Sequence, residues 1–293
     1  MADVPWLLYR AFFALPKSIV DGEGRPVNAL LGTVNALLNA AETCGPRAIV
    51  ACFGAEQARY RVELYPPYHA HRDPMPAELR WQWQQAPALL TSLGWTVSDA
   101  GDLEADDAMG SYAHVETRAA GRESDGGPPG ARALLLTGDR DMFQAVDDQT
   151  AVLELKKGAP PIEVGPAEVR ARYGVDPKQV PDFIAIRGDP SDGLPGAPGI
   201  GAKTAAELLS KHGSLEAVLA AAEHPDPARR PPKAATLLHH AGQLLLFKQV
   251  ATLVPIDVER PPDRPTDFAA GAATARELGM KRLAERLAEI ATA

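Results

Sequence analysis

The chain has 293 residues but only two cysteines, Cys44 and Cys52. Two thiols cannot form the disulfide framework that stabilises small secreted domains, so we expect both to be buried thiols of a reduced, cytoplasmic protein. No apolar run approaches the roughly 20 residues that span a bilayer. The start, Met1-Ala2-Asp3, also lacks the basic-then-apolar layout of a signal peptide. We therefore expect no membrane partner.

The sequence also lacks an excess of positive charge, because 30 Lys and Arg oppose 38 Asp and Glu for a formal net charge of −8. Since phosphate contacts need Lys and Arg, this balance alone disfavours nucleic-acid binding. The acidic residues are unevenly distributed, however. If the main clusters share one cleft with bound divalent cations, the rest of the surface is near neutral and can carry basic patches. The residues concerned are Asp3, Glu104, Asp106, Asp107, Asp139, Asp141, Asp189 and Asp192.

Hydrophobic patterning predicts an α/β fold. Short apolar runs at 48–53, 95–98 and 132–137 are typical of buried strands, and residues 28–42 and 104–120 have helical spacing. This alternation predicts a mostly parallel sheet flanked by helices, with ligand sites beyond the carboxyl ends of the strands. A glycine-rich surface loop is expected at 121–131, short helices at 166–173, 178–187, 203–211, 214–222 and 233–250, and a final amphipathic helix at 279–290.

The acidic clusters are composed entirely of oxygen ligands. Carboxylates without nearby Cys or His favour Mg²⁺ or Mn²⁺ over Zn²⁺. Two such cations about 3.5–4 Å apart can stabilise both the attacking and the leaving oxygen of a displacement at phosphorus. Singly, Asp139-Arg140-Asp141 is better explained by a turn and helix cap, and the acids at 104–107 by a helix start. Together they predict a site for two divalent cations.

A glycine-rich turn follows the last acidic cluster. Gly199-Ile-Gly201-Ala-Lys203-Thr204 has the form of a helix–hairpin–helix. Glycines allow the backbone to approach a phosphate, and the following helix start offers free N–H groups. Such contacts fix the register of DNA without reading its bases. A lone glycine turn is usually only a turn, but its position just after Asp189 and Asp192 predicts DNA binding.

These motifs, in order along nearly the whole chain, resemble the 5′ nuclease domain of bacterial DNA polymerase I and its flap-endonuclease relatives. The resemblance implies a PIN-like nuclease core at 1–165 with a helical arch at about 56–85. It also implies a helix–three-turn–helix DNA-binding region at 166–250 and a C-terminal segment at 251–293 that returns to the core. The residues that carry it are Asp3 with Leu8-Tyr9-Arg10, Tyr60-Arg61 through Tyr68 and Arg72, Glu104 to Asp107, Thr137 to Met142, Gly188 to Asp192, and Gly199 to Ala205.

The resemblance also implies roles for individual residues. Asp3, Glu104, Asp106 and Asp139 would hold one cation, and Asp141, Asp189 and Asp192 the second, with Asp107 shared or in the outer shell. Arg61 and Arg72 match residues that steady the scissile phosphate, and His69 and Arg140 are further catalytic candidates. Tyr60 and Tyr68 would stack on frayed bases or, equally, pack within the arch. The turn with Gly199, Gly201, Lys203 and Thr204 would contact DNA and can seat a K⁺ on its carbonyls.

Three departures from the family pattern generate further hypotheses. The family's Asp after the second strand is Gly54 here, which predicts weaker binding of the first cation and a preference for Mn²⁺. The expected arch lysine is His69, which carries charge only below about pH 6.5 unless perturbed, and an ordinary exposed histidine is an equal alternative. Only two residues precede Asp3, so either the first strand is stunted or the natural start lies upstream.

We therefore expect a structure-specific 5′ nuclease that cuts DNA at 5′ flaps and 5′ ends during replication and repair. We expect it to be a monomer in the cytoplasm, associated with the nucleoid. One alternative is a ribonuclease that removes RNA primers or the RNA of RNA:DNA hybrids, since the same core and cations suit RNA cleavage. Another is a DNA-junction binder with impaired catalysis, suggested by Gly54 and His69.

Overall fold

The structure is a computed structural model that describes residues 1–123 and 132–292. Its centre is a six-stranded sheet with strand order β3-β2-β1-β4-β5-β6. The first five strands pair in parallel, and β6 is antiparallel to β5. The predicted mostly parallel sheet is confirmed, although β5 and β6 were not predicted. The strands are β1 (Ala2–Asp3), β2 (Val50–Phe53), β3 (Thr96–Asp99), β4 (Ala133–Leu136), β5 (Thr150–Glu154) and β6 (Ile162–Val164).

The first strand is only two residues long, yet it lies in the middle of the sheet. Ala2 pairs with Ala51 on one side and with Leu136 on the other. Both Ala2 and Asp3 are buried. This position fixes Asp3 at the carboxyl edge of the sheet, between the ends of its two neighbouring strands.

Helices cover both faces of the sheet. One face packs against α1 (Val4–Ala14), α2 (Asn28–Cys44) and α4 (Ala77–Ser92), and the other against α5 (Ala105–Glu123). Alternate residues of β2 face the two hydrophobic cores on either side of the sheet. Ala51 and Phe53 face the core under α1, α2 and α4, and Val50 and Cys52 face the core under α5. Cys52 is fully buried as expected, whereas Cys44, the last residue of α2, is only half-buried. A short helix, α3 (Arg59–Leu64), lies between β2 and α4.

The second half of the chain is helical. It contains α6 (Pro166–Tyr173), α7 (Val180–Arg187), α8 (Ala202–His212) and α9 (Leu215–Ala222), then α10 (Ala234–His239) and α11 (Ala241–Ala251). The single helix predicted for 233–250 is wrong. The chain leaves helical geometry at His240, where φ is −102° and ψ is 9°, and Gly242 follows as a weak helix former.

Residues 252–267 form neither helix nor strand, and we call them the strap. The strap ends at α12 (Phe268–Glu277), which is followed by α13 (Lys281–Thr292). Gly271 of α12 packs on Leu93, and Arg286 of α13 donates to Asn35 of α2. Helix α5 continues through Glu123, and the remainder of the loop expected at 121–131 lies outside the described residues. In the ranges that are described, no helix is long and apolar enough to cross a membrane.

Candidate metal centre

The acidic side chains converge at the carboxyl edge of the sheet. Asp3 ends β1, Asp139 follows the neighbouring β4, and Glu104 and Asp106 lie at the start of α5. One cleft of about 1110 Å³ is lined by six of the eight predicted ligands. Asp189 forms a backbone bridge with Leu194 in the same turn as Asp192, whereas Asp107 is turned away from the cleft. The six that line the cleft are Asp3, Glu104, Asp106, Asp139, Asp141 and Asp192.

Hydrogen bonds link Asp3 and Asp139, the acidic residues at the ends of the two central strands. Asp3 caps α1, because its Oδ1 accepts the Trp6 N–H at 2.9 Å, and its Oδ2 accepts the Thr137 hydroxyl at 2.8 Å. The same Thr137 oxygen accepts the Asp139 N–H at 3.0 Å. Thr137 therefore ties Asp3 to Asp139. Thr137 begins the Thr137-to-Met142 motif, but nothing in that motif indicates this role.

Four of these carboxylates lie in an environment that disfavours their charge. Burial raises the pKa of Asp3 to about 7 and that of Asp139 to about 6. Burial and the neighbouring charge of Asp139 raise the pKa of Asp106 and of Asp141 well above the usual value. Without cations, the group therefore binds protons near neutral pH. A divalent cation would stabilise the ionised forms instead.

Asp189 and Asp192 differ because basic side chains of the protein contact them. Arg187 Nη2 lies 3.0 Å from Asp189 Oδ2, and His69 Nε2 lies 2.8 Å from Asp192 Oδ1. Although burial opposes it, the hydrogen bond from His69 and the charge of Arg72 hold the pKa of Asp192 below its usual value. Asp192 therefore retains its negative charge where its four neighbours with raised pKa values bind protons.

The donor set fits hard divalent cations, since it consists of oxygen atoms in one cleft whose ionised forms lack compensation. Within the described part of the chain, no group of three acidic, His or Cys side chains is already arranged around a single point as a closed metal site. The side chains therefore share a cleft without forming a preformed cage. This is compatible with cations that keep several water ligands, as Mg²⁺ usually does.

Arg61 and Asp107 form a buried ion pair, which corrects the roles expected for both. Arg61 Nη1 and Nη2 lie 3.0 and 2.8 Å from the two Asp107 oxygens, and Arg61 Nε donates to Val250 O. Arg61 Nη1 also lies 3.0 Å from Glu104 Oε2. Because its donors are used inside the protein, Arg61 is not free to steady a phosphate. Asp107 is fully buried and bound by Arg61, so it does not face a cation.

Tyr68 and His69 are also buried rather than displayed to DNA. The Tyr68 hydroxyl donates to Glu104 Oε2 at 3.0 Å, and its ring stacks on the His69 ring at 3.8 Å. His69, in the left-handed region at φ 55°, is only 3% exposed. Base stacking by Tyr68 and an exposed His69 are therefore both wrong. Tyr60 is half-buried and packs beside the Arg61 guanidinium.

Two arginines remain accessible at the cleft. The Arg72 side chain is 44% exposed and lies 3.4 Å from Asp192 Oδ1. Arg140 is exposed between Asp139 and Asp141. Both are near the acidic edge and available to an incoming anion.

Gly54 has a steric role that the sequence did not indicate. A Cβ on Gly54 would lie 2.4 Å from Leu103 O and 2.7 Å from Ala105 N. The Ala55 N–H donates to the same Leu103 carbonyl at 2.7 Å. The start of α5 therefore occupies the space that an aspartate would need. No carboxylate can be restored here without moving the turn that carries Glu104.

The glycine turn lies at the start of α8. Gly199 has φ +73°, a conformation that favours glycine, and Gly201 is the residue before the helix. Lys203 is exposed and Thr204 half-buried on the first helical turn. The structure adds Lys233, whose Nζ lies 3.6 Å from the position of a Gly199 Cβ. Lys233 is about thirty residues away in sequence, so no local motif could have indicated it.

Known proteins support a nuclease class. The family model for the N-terminal resolvase-like domain of 5′–3′ exonucleases matches residues 1–174, and the model for their C-terminal SAM fold matches residues 175–266. The structure also resembles a bacteriophage T5 flap endonuclease solved with DNA and metal ions. The TM-score is 0.67 at 17% identity, over 100% of this chain and 98% of that one. These matches define the chain as a nuclease with a mostly parallel α/β core.

The chain belongs to the 5′–3′ exonuclease family. It is 36% identical to a 5′–3′ exonuclease of Streptomyces coelicolor over 100% of both chains. It is 34% identical to the thermostable DNA polymerase I of Thermus thermophilus over 98% of this chain but only 32% of the polymerase. The chain thus spans the full length of the first relative and about a third of the second.

Proposed function

We propose that the protein is a divalent-metal-dependent 5′ nuclease that hydrolyses DNA at 5′ flaps and 5′ ends. The observation that carries this proposal is the convergence of six acidic side chains in one cleft, four of them with raised pKa values. Family membership supports it, as does the likeness to a flap endonuclease. DNA processing in turn suggests a cytoplasmic, nucleoid-associated monomer.

The cleft divides into two candidate cation sites. Asp3, Glu104, Asp106 and Asp139 would hold one cation, and Asp141, Asp189 and Asp192 the other. When bound, such a pair supplies an activated water and neutralises charge on the departing 3′ oxygen. Because Gly54 contributes no carboxylate to the first site, we expect Mn²⁺ to support a higher rate than Mg²⁺.

Side chains near the cleft and the glycine turn would position the DNA and the metal ligands. Arg72 and Arg140 lie at the rim of the cleft and would orient the scissile phosphate by charge-assisted hydrogen bonds. Tyr68 and Arg61 hold Glu104 from behind, since both contact its carboxylate. Duplex phosphates would bind Gly199, Gly201, Lys203 and Thr204, with Lys233 as an additional cation. The backbone carbonyls of this turn would hold a K⁺, which would supply further positive charge beside the same phosphate.

The test is incubation of a labelled duplex carrying a 5′ DNA flap with Mn²⁺, with Mg²⁺, and with a chelator. We expect cleavage near the flap junction in Mn²⁺, less in Mg²⁺ and none in chelator. A matched RNA flap separates the ribonuclease alternative, which requires the RNA strand to be cut faster. Binding of the DNA flap without cleavage in any metal would support the junction-binder alternative and contradict the proposal.

A further inference from the structure

The segment that leaves the helical region passes directly behind the acidic cleft. Residues 251–256 include the end of α11 and the start of the strap. This segment has no strand partner, yet its backbone groups are satisfied by side chains of the nuclease core. Those side chains lie beside the two turns that carry predicted ligands.

Gln144 makes the first connection. It lies in the short 3₁₀ turn Asp141–Ala145, directly after β4. Its Oε1 accepts the Leu253 N–H at 3.0 Å. Its Nε2 donates to Ala251 O and to Asp141 O, both at 2.9 Å. One amide thus joins the end of α11, the start of the strap and the turn that carries the Asp141 carboxylate.

Helix α5 makes the second connection. The Val254 N–H donates to Asp107 Oδ1 at 2.8 Å, and the Ile256 N–H donates to the Ser111 hydroxyl oxygen at 2.9 Å. Asp107 and Ser111 are four residues apart and therefore share one face of the helix. Gly110 allows close approach, since a Cβ there would lie 3.0 Å from Leu253 Cδ1. The strap is thereby fixed along the first turns of α5, next to the helix start that carries Glu104 and Asp106.

We propose that Gln144 and Ser111 are positioning residues for the cation pair, an inference that rests on the proposed function. Gln144 holds the Asp141 turn and Ser111 holds the start of α5, each against the same six-residue segment. Carboxylates crowded into one cleft repel one another, so the turns that carry them need restraint. The segment 251–256 provides it, and it keeps the two halves of the metal centre at a fixed separation.

The test measures Mn²⁺ affinity directly, by electron paramagnetic resonance of free Mn²⁺, in parallel with thermal unfolding. Gln144→Met keeps the length of the side chain but loses all three hydrogen bonds, and Ser111→Ala loses the bond to the strap. We expect Gln144→Met to weaken Mn²⁺ binding by about 10-fold, the low end of the loss in affinity found for residues that hydrogen-bond to a metal ligand rather than to the metal. Cleavage should fall at limiting Mn²⁺ and recover at saturating Mn²⁺, with KM for the flap DNA unchanged.

Two matched controls are available in the chain. Gln82 is a fully buried glutamine that does not line the cleft, and its Oε1 accepts the Ala29 N–H, whereas Gln144 is half-buried. Thr117 is on α5 but its hydroxyl donates to Ala113 O within the helix. Gln82→Met should lower the melting temperature without changing Mn²⁺ affinity, and Thr117→Ala should change neither.

The outcomes are distinguishable. If Gln144→Met and Ser111→Ala melt at lower temperature but bind Mn²⁺ as tightly as the wild type, the positioning role is wrong and the residues only stabilise the fold. If Gln144→Met fails to fold, the Mn²⁺ affinity and melting temperature of Ser111→Ala provide the same test. If the wild-type protein binds no Mn²⁺ and cuts no flap, the proposed function fails instead.

Discussion

Helix α5 carries acidic side chains in opposite electrostatic situations. In its first turn, at the cleft, burial and Asp139 raise the pKa of Asp106. Further along the helix, Arg47 and Arg260 contact Glu116 and, against the effect of its burial, hold the pKa of this carboxylate below its usual value. Asp107 is likewise bound by Arg61. Within this helix, Asp107 and Glu116 are neutralised by arginines of the protein and are part of its scaffold. Asp106 is buried without such a partner and would bind a cation from solution.

The largest expected effect comes from removing a cleft carboxylate. Asp139→Asn should slow flap cleavage in Mn²⁺ by roughly 10³-fold, because a bound cation stabilises the transition state by several kcal/mol. The metal-free variant should melt no lower than the wild type, since a repelling charge is lost. The control is Asp148→Asn, an exposed acid outside the cleft. A cleavage rate of Asp139→Asn within tenfold of the wild type would contradict the assignment.

Removing an arginine that neutralises a buried scaffold carboxylate should affect stability first. Arg61→Met leaves Asp107 buried and unpaired, so the free energy of unfolding should fall by about 3–5 kcal/mol. Urea titration monitored by circular dichroism measures it. Arg72→Met is the comparison, because this exposed side chain contributes less than about 1 kcal/mol to stability. It should slow cleavage while unfolding normally. Equal stability loss in both variants would remove the distinction between scaffold and cleft.

The raised pKa values predict how pH and metal act together. Asp3 and Asp139 bind protons more tightly when folded than when unfolded, so metal-free stability should fall as pH rises from about 4 to 7. In chelator we expect a melting temperature lower by about 5 °C at pH 8 than at pH 5. The lowered pKa of Asp192 acts only below about pH 4, outside this window. Burial lowers the pKa of the Met1 amino group, which offsets part of the fall below about pH 8, but the raised carboxylates outnumber it. Mn²⁺ should raise the melting temperature more at pH 8 than at pH 5, and the reverse order would refute the account.

The smallest expected effect concerns Gly54, where β2 meets the start of α5. Gly54→Ala should lower the free energy of unfolding by about 1–3 kcal/mol through overpacking against Leu103 and Ala105. Gly54→Asp should fail to tighten Mn²⁺ binding, since its side chain displaces the turn before it reaches a cation. Gly22→Ala, which meets nothing within 4 Å, should be neutral in the same unfolding assay. Tighter Mn²⁺ binding by Gly54→Asp would show that the turn carrying Glu104 can move to admit the carboxylate, which would contradict this prediction.

The sequence predicted the parallel sheet and the clustering of acids well, because buried apolar strands and the acids that follow them are local patterns. It could not separate Asp106 from Asp107, which are adjacent in sequence but point in directions about 100° apart on α5, Asp106 into the cleft and Asp107 toward Arg61. It likewise predicted that Arg61 binds the scissile phosphate. That prediction missed the ion pair, because only the tertiary structure brings Asp107 and Val250 to the Arg61 guanidinium. Gln144 and Lys233 act through residues distant in sequence, and no spacing rule detects such contacts.

Catalysis by this cleft depends most on its binding of two cations. Anomalous scattering from crystals soaked in Mn²⁺ tests this directly. We predict one peak among Asp3, Asp106 and Asp139 and a second near Asp141 and Asp192, with none beside Asp107 or Glu116. Crystals that bind Mn²⁺ only elsewhere on the surface, or nowhere, would contradict the account.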